Sequence, residues 1–166
     1  MYTFIIARGL VYPMKVLFIT GFWPIPDDLS SSRKLYAEDL AIKFNEYGGG
    51  YMHAQNVEGS KGFAIWPLSL VAEDCFGTKI WPIDIPKPKA WLEFEVEDIK
   101  KASEEMKRKG YNLLLDSFEE PYGQILSRFL SPERILVGLV ITPCYVTQLR
   151  NLLKWKFAGN VVISIW

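Results

Sequence analysis

Between Trp91 and Val96 the side chains alternate, with Leu92, Phe94 and Val96 on one face and Trp91, Glu93 and Glu95 on the other. That period predicts a strand with one face packed on a helix. Asp98 follows as an N-cap, and Ile99, Ala102 and Met106 then recur at helical spacing. Glu104 to Arg108 and Glu105 to Lys109 are i,i+4 ion pairs in the favourable orientation, and Gly110 supplies the stop. Three more apolar stretches come next: Tyr111 to Leu115, Gln124 to Leu130 and Ile135 to Ile141. Pro121-Tyr122-Gly123 and Ser131-Pro132-Glu133 part them with turn chemistry. The predicted order over residues 89–143 is β-α-β-β-β.

The first half repeats this order over residues 15–67. A strand from Lys15 to about Trp23 leads to Asp27-Asp28, then to a helix carrying Leu29, Leu35, Tyr36 and Leu40. Strands are expected at Ile42 to Tyr47, Tyr51 to Asn56 and Gly62 to Trp66, with Gly48-Gly49-Gly50 as a hairpin turn. Asp28-Leu29 matches Asp98-Ile99 in place, although side-chain identity between the halves is negligible, so element order carries the repeat. Residues 68–88 show no clear period and end in Pro82, Pro86 and Pro88, which reads as a linker between modules. Residues 1–13 and 144–166 fall outside the repeat. The former are expected to be an appended leader, the latter a basic helix from Tyr145 to Phe157 and a short strand from Val161 to Trp166.

Composition narrows the class. Of 166 residues 49% are apolar, enough for a real core. Nineteen basic residues balance nineteen acidic ones, which argues against a nucleic-acid surface. No run approaches the roughly 20 apolar residues that span a bilayer, so no membrane partner is expected. Cys75 and Cys144 stand far apart without a CxxC partner; they read as small buried residues of a cytoplasmic protein. Gly48-Gly49-Gly50 has no following Lys-Ser/Thr, and no serine sits in a nucleophile elbow.

The stretch WLEFEVEDIKKASEEMKRKGYNLLLDSFEEPYGQILSRFLSPERILVGLVITP resembles the second module of the glyoxalase, bleomycin-resistance and dioxygenase superfamily, also called vicinal oxygen chelate proteins. FEVED, an amphipathic helix, EEPYGQ and FLSPE carry the resemblance, and DDLSSSRKLY is the closest part of the first half. The resemblance implies an α+β fold of two βαβββ modules whose curled mixed sheets enclose a cavity. It also implies either a divalent metal, held by His or Glu at about four inward positions, or a metal-free binder. Carried over one by one, those positions fall near Gly21, at Trp91, at Gly138 and near Trp66 to Leu68. None of these side chains binds a metal, and His53 is the one histidine in the chain. No metal and no other cofactor is therefore expected.

Strand parity turns Trp91 and Glu93 to the cavity, with Glu95 nearer its rim. It turns Trp23 inward too, unless a bulge near the prolines reverses it. Gln124 and Arg128 share a face of their strand, and Tyr122 stands at its entrance. His53 either lines the cavity or is a structural, partly exposed histidine. Trp23, His53, Trp91, Glu93, Tyr122, Gln124 and Arg128 make an aromatic wall with polar anchors, suited to a small aromatic or cationic ligand, Glu93 meeting the charge and Trp91 adding a cation–π face. The same aromatics would otherwise simply fill the core. The expected function is sequestration or sensing of such a molecule without catalysis. The alternative is a metal-dependent lyase, isomerase or dioxygenase. The resemblance further implies a homodimer, which would cover open sheet edges.

Overall fold

The computed structural model describes residues 13–55 and 57–145; the expected leader up to residue 12, and the helix and strand expected beyond Tyr145, lie outside the described residues. Among the described residues, alternating and β-branched segments form eight strands, β1 Val16–Pro24, β2 Phe44–Glu46, β3 Met52–Ala54, β4 Ala64–Ile65, β5 Ala90–Val96, β6 Leu113–Glu119, β7 Ile125–Leu130 and β8 Ile135–Ile141. Three helices join them, α1 Leu29–Arg33, α2 Leu68–Phe76 and α3 Ile99–Arg108. None is long and apolar enough to cross a membrane.

Five strands make one mixed sheet in the order β1-β5-β8-β7-β6, and three make another in the order β2-β3-β4. Within the second half β5 and β8 run parallel, while β7 is antiparallel to both β8 and β6. The first half copies this arrangement: β2, β3 and β4 form an antiparallel meander, and a parallel bridge from Phe22 to Phe63 sets β4 beside β1. Two backbone bonds hold that seam, Phe22 N–H to the Gly62 carbonyl at 3.2 Å and Trp66 N–H to the Pro24 carbonyl at 3.0 Å. The halves meet where β1 pairs antiparallel with β5, from Val16 opposite Val96 to Pro24 opposite Ala90. This is the expected α+β architecture of two βαβββ modules with curled mixed sheets; the sheets do not close into a barrel.

The matched aspartates act as the repeat requires. Asp98 accepts from Lys101 N–H and Asp28 from Ser30 N–H, each at 3.0 Å, so each starts its module's helix. On α3 the residues Ile99, Ala102, Ser103 and Met106 are buried, one stripe laid on Val96, Phe129, Val137 and Leu139 of the sheet. Burying these side chains stabilises the second module through the apolar area removed from water.

The first module is looser. α1 has only five residues and passes into a wider π-helical turn over Lys34–Asp39, and neither segment buries a side chain. Its strands of two to three residues offer too little apolar surface to seat a helix firmly.

The strands expected at 42–47, 51–56 and 62–66 shrink to β2, β3 and β4, and the first helix ends before Leu40, because these short segments bury too few side chains to extend further. Three more features depart from the sequence reading. The connector of residues 68–88 begins with α2, a helix whose Val71, Ala72 and Cys75 are buried in a cluster with Trp23, Trp81, Trp91 and Leu136. Strand β6 runs on to Glu119, beyond the expected end at Leu115, because register shifts and a positive φ at Ser117 break its alternation without ending its pairing with β7. Cys75 is buried as expected, but Cys144 is exposed.

Candidate functional site

The inner faces of both modules wall a cavity of about 220 Å³. All seven residues singled out from the sequence reach it: Trp23 from β1, His53 from β3, Trp91 and Glu93 from β5, Tyr122 from the turn before β7, Gln124 beside that turn, and Arg128 from β7. Parity on β5 holds, with Trp91, Glu93 and Glu95 buried on the inner side. Two register shifts interrupt β1, yet Trp23 still points inward. His53 is half-buried at the mouth, its ring 6.3 Å from that of Tyr51. Tyr122 is 71% exposed, as an entrance residue should be.

Sequence reasoning missed part of the wall. Trp66 belongs to it, as do Thr20, Lys61, Gly62, Thr142 and Tyr145. In the sequence Trp66 stands out only as a vacant metal-ligand position; its place just after the last strand of the first module, across the sheet seam from Trp23, is the signal that marks it as lining. A second cleft of about 390 Å³ adjoins the cavity over the β2–β3 hairpin and shares His53, Lys61 and Gly62 with it. The buried charges, Glu93 and Arg128, are in the smaller cavity.

Three tryptophans form one side. The Trp91 ring centroid is 5.1 Å from that of Trp23 and 4.8 Å from that of Trp66, and Tyr51 extends the row 4.8 Å beyond Trp66. Such tilted aromatic contacts stabilise beyond their area burial. The Arg128 guanidinium stands over Trp91 at 4.1 Å. The cation–π seat that the sequence suggested for a ligand is thus filled by the chain's own arginine.

A single row across four strands sets the polar side. Gly21 is opposite Glu93, Glu93 opposite Gly138, and Gly138 opposite Arg128. The glycines leave room for their neighbours. A Cβ on Gly138 would come 2.6 Å from Glu93 Cγ and 3.1 Å from Trp91 Nε1; one on Gly21 would come 2.5 Å from the Trp23 ring. Glu93 and Trp91 can therefore lean over Gly138, and Trp23 over Gly21.

Arg128 is buried, with Nη2 3.7 Å from Glu120 Oε1 and Nη1 3.9 Å from the Cys75 sulfur. Burial is the chief cause that pushes the Glu93 carboxyl up to about 7; Arg128 lowers it, while Glu95, Glu120 and Asp74 add to the rise. Burial likewise raises Asp74, Cys75 and Tyr122, and lifts Tyr51 to about 12. Glu95 accepts from Thr142 N–H at 2.7 Å, and Thr142 Oγ1 accepts from Gln124 Nε2 at 3.1 Å, which closes the rim.

A divalent ion of the kind implied by the sequence resemblance does not fit these residues. Gly21 and Gly138 flank Glu93 without a donor side chain, and a ligand at 138 would collide with Glu93. Among the described residues no three His, Cys, Asp or Glu side chains converge to hold a metal.

Paired modules around a lined cavity define the class as a glyoxalase/bleomycin-resistance-like fold. Among solved structures the chain is similar to a glyoxalase/bleomycin resistance protein/dioxygenase superfamily member from Vibrio splendidus 12B01, at 11% identity over 76% of this chain and 97% of that one, with a TM-score of 0.49. It is also similar to a glyoxalase/bleomycin resistance protein/dioxygenase from Nocardioides (16% identity, 76% and 83% covered, TM-score 0.33). An NAD-dependent benzaldehyde dehydrogenase from Legionella pneumophila is similar as well (10% identity, 72% and 96% covered, TM-score 0.46). No protein-family model matches the chain, and no curated protein matches it in sequence. The likeness concerns fold, and no activity comes with it.

Proposed function

We propose that the cavity binds a small aromatic molecule and sequesters or senses it without changing it. The observation that carries this reading is the tryptophan wall of Trp23, Trp66 and Trp91 facing an open space bordered by Glu93, Gln124 and Arg128. Flat apolar walls with a few fixed polar groups suit a planar ligand. At about 220 Å³ the space is smaller than the roughly 300–1,000 Å³ of drug-sized pockets, so the ligand is about one substituted ring. The sequence also suggested a cationic ligand; Arg128 over Trp91 speaks against that choice. The unpaired cysteines go with a cytoplasmic setting.

Saturation-transfer NMR with a panel of single-ring aromatics, paired with thermal melts, tests the proposal. Transfer to ring protons and a raised melting temperature are expected for part of the panel. Absence of both across the panel at millimolar concentration removes the reading.

A further inference from the structure

We propose that the ligand of this cavity carries a hydrogen-bond donor on its ring, an O–H or N–H, and that this donor meets the carboxyl of Glu93. The inference rests on the binding function proposed above and specifies the ligand's chemistry. Glu93 is 4% exposed, lines the cavity from β5, and accepts no hydrogen bond within the described residues. Donors around it are engaged elsewhere or shut in. Arg128 sends Nη2 towards Glu120, at 3.7 Å, and Nη1 towards the Cys75 sulfur, at 3.9 Å. Gln124 donates to Thr142 Oγ1, and the Thr142 N–H donates to Glu95. Lys61 holds its ammonium 5.0 Å from the Phe18 ring centroid. The indole N–H groups of Trp66 and Trp91 and the Arg128 Nε are sealed in the packing, whereas the Glu93 oxygens stay open to the cavity. The residues opposite it on β1 and β8, Gly21 and Gly138, bring no side chain to cover it.

A buried carboxyl without a donor is costly, most of all when ionised. Arg128 of β7 favours the ionised form, while Glu95 of β5, Glu120 after β6 and Asp74 of α2 oppose it. His53, Lys61, Tyr122 and Tyr145 are the other titratable groups on the cavity. The empty site therefore keeps the Glu93 proton up to about pH 7 and gives it up above. A ligand that donates to Glu93 stabilises the carboxylate, so its binding releases that proton and tightens as pH rises through this range. A ligand that only accepts needs the protonated carboxyl, and its binding weakens over the same interval. The direction of the pH dependence thus reports which kind of group meets Glu93.

Four single-ring probes separate these cases: phenol, a neutral donor; benzylamine, a cationic one; anisole, which only accepts; and toluene, which does neither. Affinities are read by titration calorimetry at pH 6 and pH 8, on the parent chain and on Glu93→Gln. At pH 8 phenol or benzylamine is expected to bind at least about tenfold tighter than toluene, the worth of one hydrogen bond to a charged acceptor. That affinity should rise severalfold from pH 6 to pH 8 while toluene stays level. In Glu93→Gln, which keeps His53 and the other titrating groups, the rise should vanish. The order of the two donors tells a neutral source from a charged one, since the acids draw an ammonium in and Arg128 repels it. Equal binding of both donors and toluene, tighter binding of anisole than of either donor, or a pH dependence that survives Glu93→Gln overturns the assignment and leaves the cavity function standing. If none of the four binds at millimolar concentration, both fall.

Discussion

Gly138 stands directly opposite Glu93 in the parallel pairing of β5 and β8, and the Glu93 side chain occupies the space that a side chain at 138 would need. The relationship explains in one stroke why a carboxyl can be buried on this strand and why the neighbouring strand contributes no ligand of its own. Gly138→Ala should therefore destabilise the fold by about 1–3 kcal/mol, the usual cost of forcing extra volume into a packed site. Glu93→Ala in the same chain should recover part of the loss, because the two residues share one space. Urea denaturation of the two single variants and the double variant measures the coupling; strictly additive effects would rule it out.

Glu93 also makes stability depend on pH. Its folded value of about 7 is above the ordinary 4.5, so the native state holds the proton more tightly than the unfolded chain. The sign follows: this contribution is fully present below pH 4.5 and is lost as pH rises through about 7, by on the order of 3 kcal/mol in all. Glu93→Gln keeps the shape and removes the titration. Melting curves from pH 5 to pH 8 should fall less steeply for the variant than for the parent chain.

Trp91 is 2% exposed, packs against Trp23 and Trp66, and supplies the face beneath Arg128. Core filling and cavity lining, which the sequence posed as alternatives, coexist in this one side chain. Trp91→Ala should cost about 3–5 kcal/mol and strand the guanidinium. Trp91→Phe keeps an aromatic ring there and should cost clearly less. Denaturant midpoints of the two variants check the order.

Elemental analysis after purification without chelator should give far less than one Zn, Ni, Fe or Mn per chain, because the converging donors of such a site are missing among the described residues. A stoichiometric metal would defeat this expectation and reopen the enzymatic alternative.

Ile19, Phe22, Leu35 and Leu40 of the first module are 41% to 57% exposed, and among the described residues β2 and β6 are edge strands. Association of two chains would cover such surface. Sedimentation at high micromolar concentration is expected to show a homodimer; a monomer throughout would refute it.

Much of this architecture is legible in local patterns. The 3.6-residue stripe from Ile99 to Met106 and the twofold alternation from Trp91 to Val96 each report on burial directly, and both match the packing. Parity was enough to send Trp91, Glu93 and Arg128 to one cavity. What escaped detection depends on partners distant in sequence. The helix α2 follows Pro67 without a side-chain cap; its packed positions Leu68, Val71, Ala72, Cys75 and Phe76 do recur at helical spacing, but the stripe is short and blurred by Leu70 on another face. The roles of Gly21 and Gly138 exist only once Trp23 and Glu93 lean over them. The seat of Arg128 on Trp91 depends on strand order, which one strand's pattern does not contain.

Strand β1 comes first in the chain, yet it is paired along most of its length with β5 and joins its own module's β4 side through one bridge and two backbone hydrogen bonds. Covalent origin and structural allegiance are thus separated. Cutting the chain in the 68–88 connector would not release two autonomous halves: the later half would lose its edge strand, and the earlier would keep a strand without its main neighbour. The two halves are interlocked through β1, and the seam between Phe22 and Phe63 is the thinner of the two junctions that this strand makes.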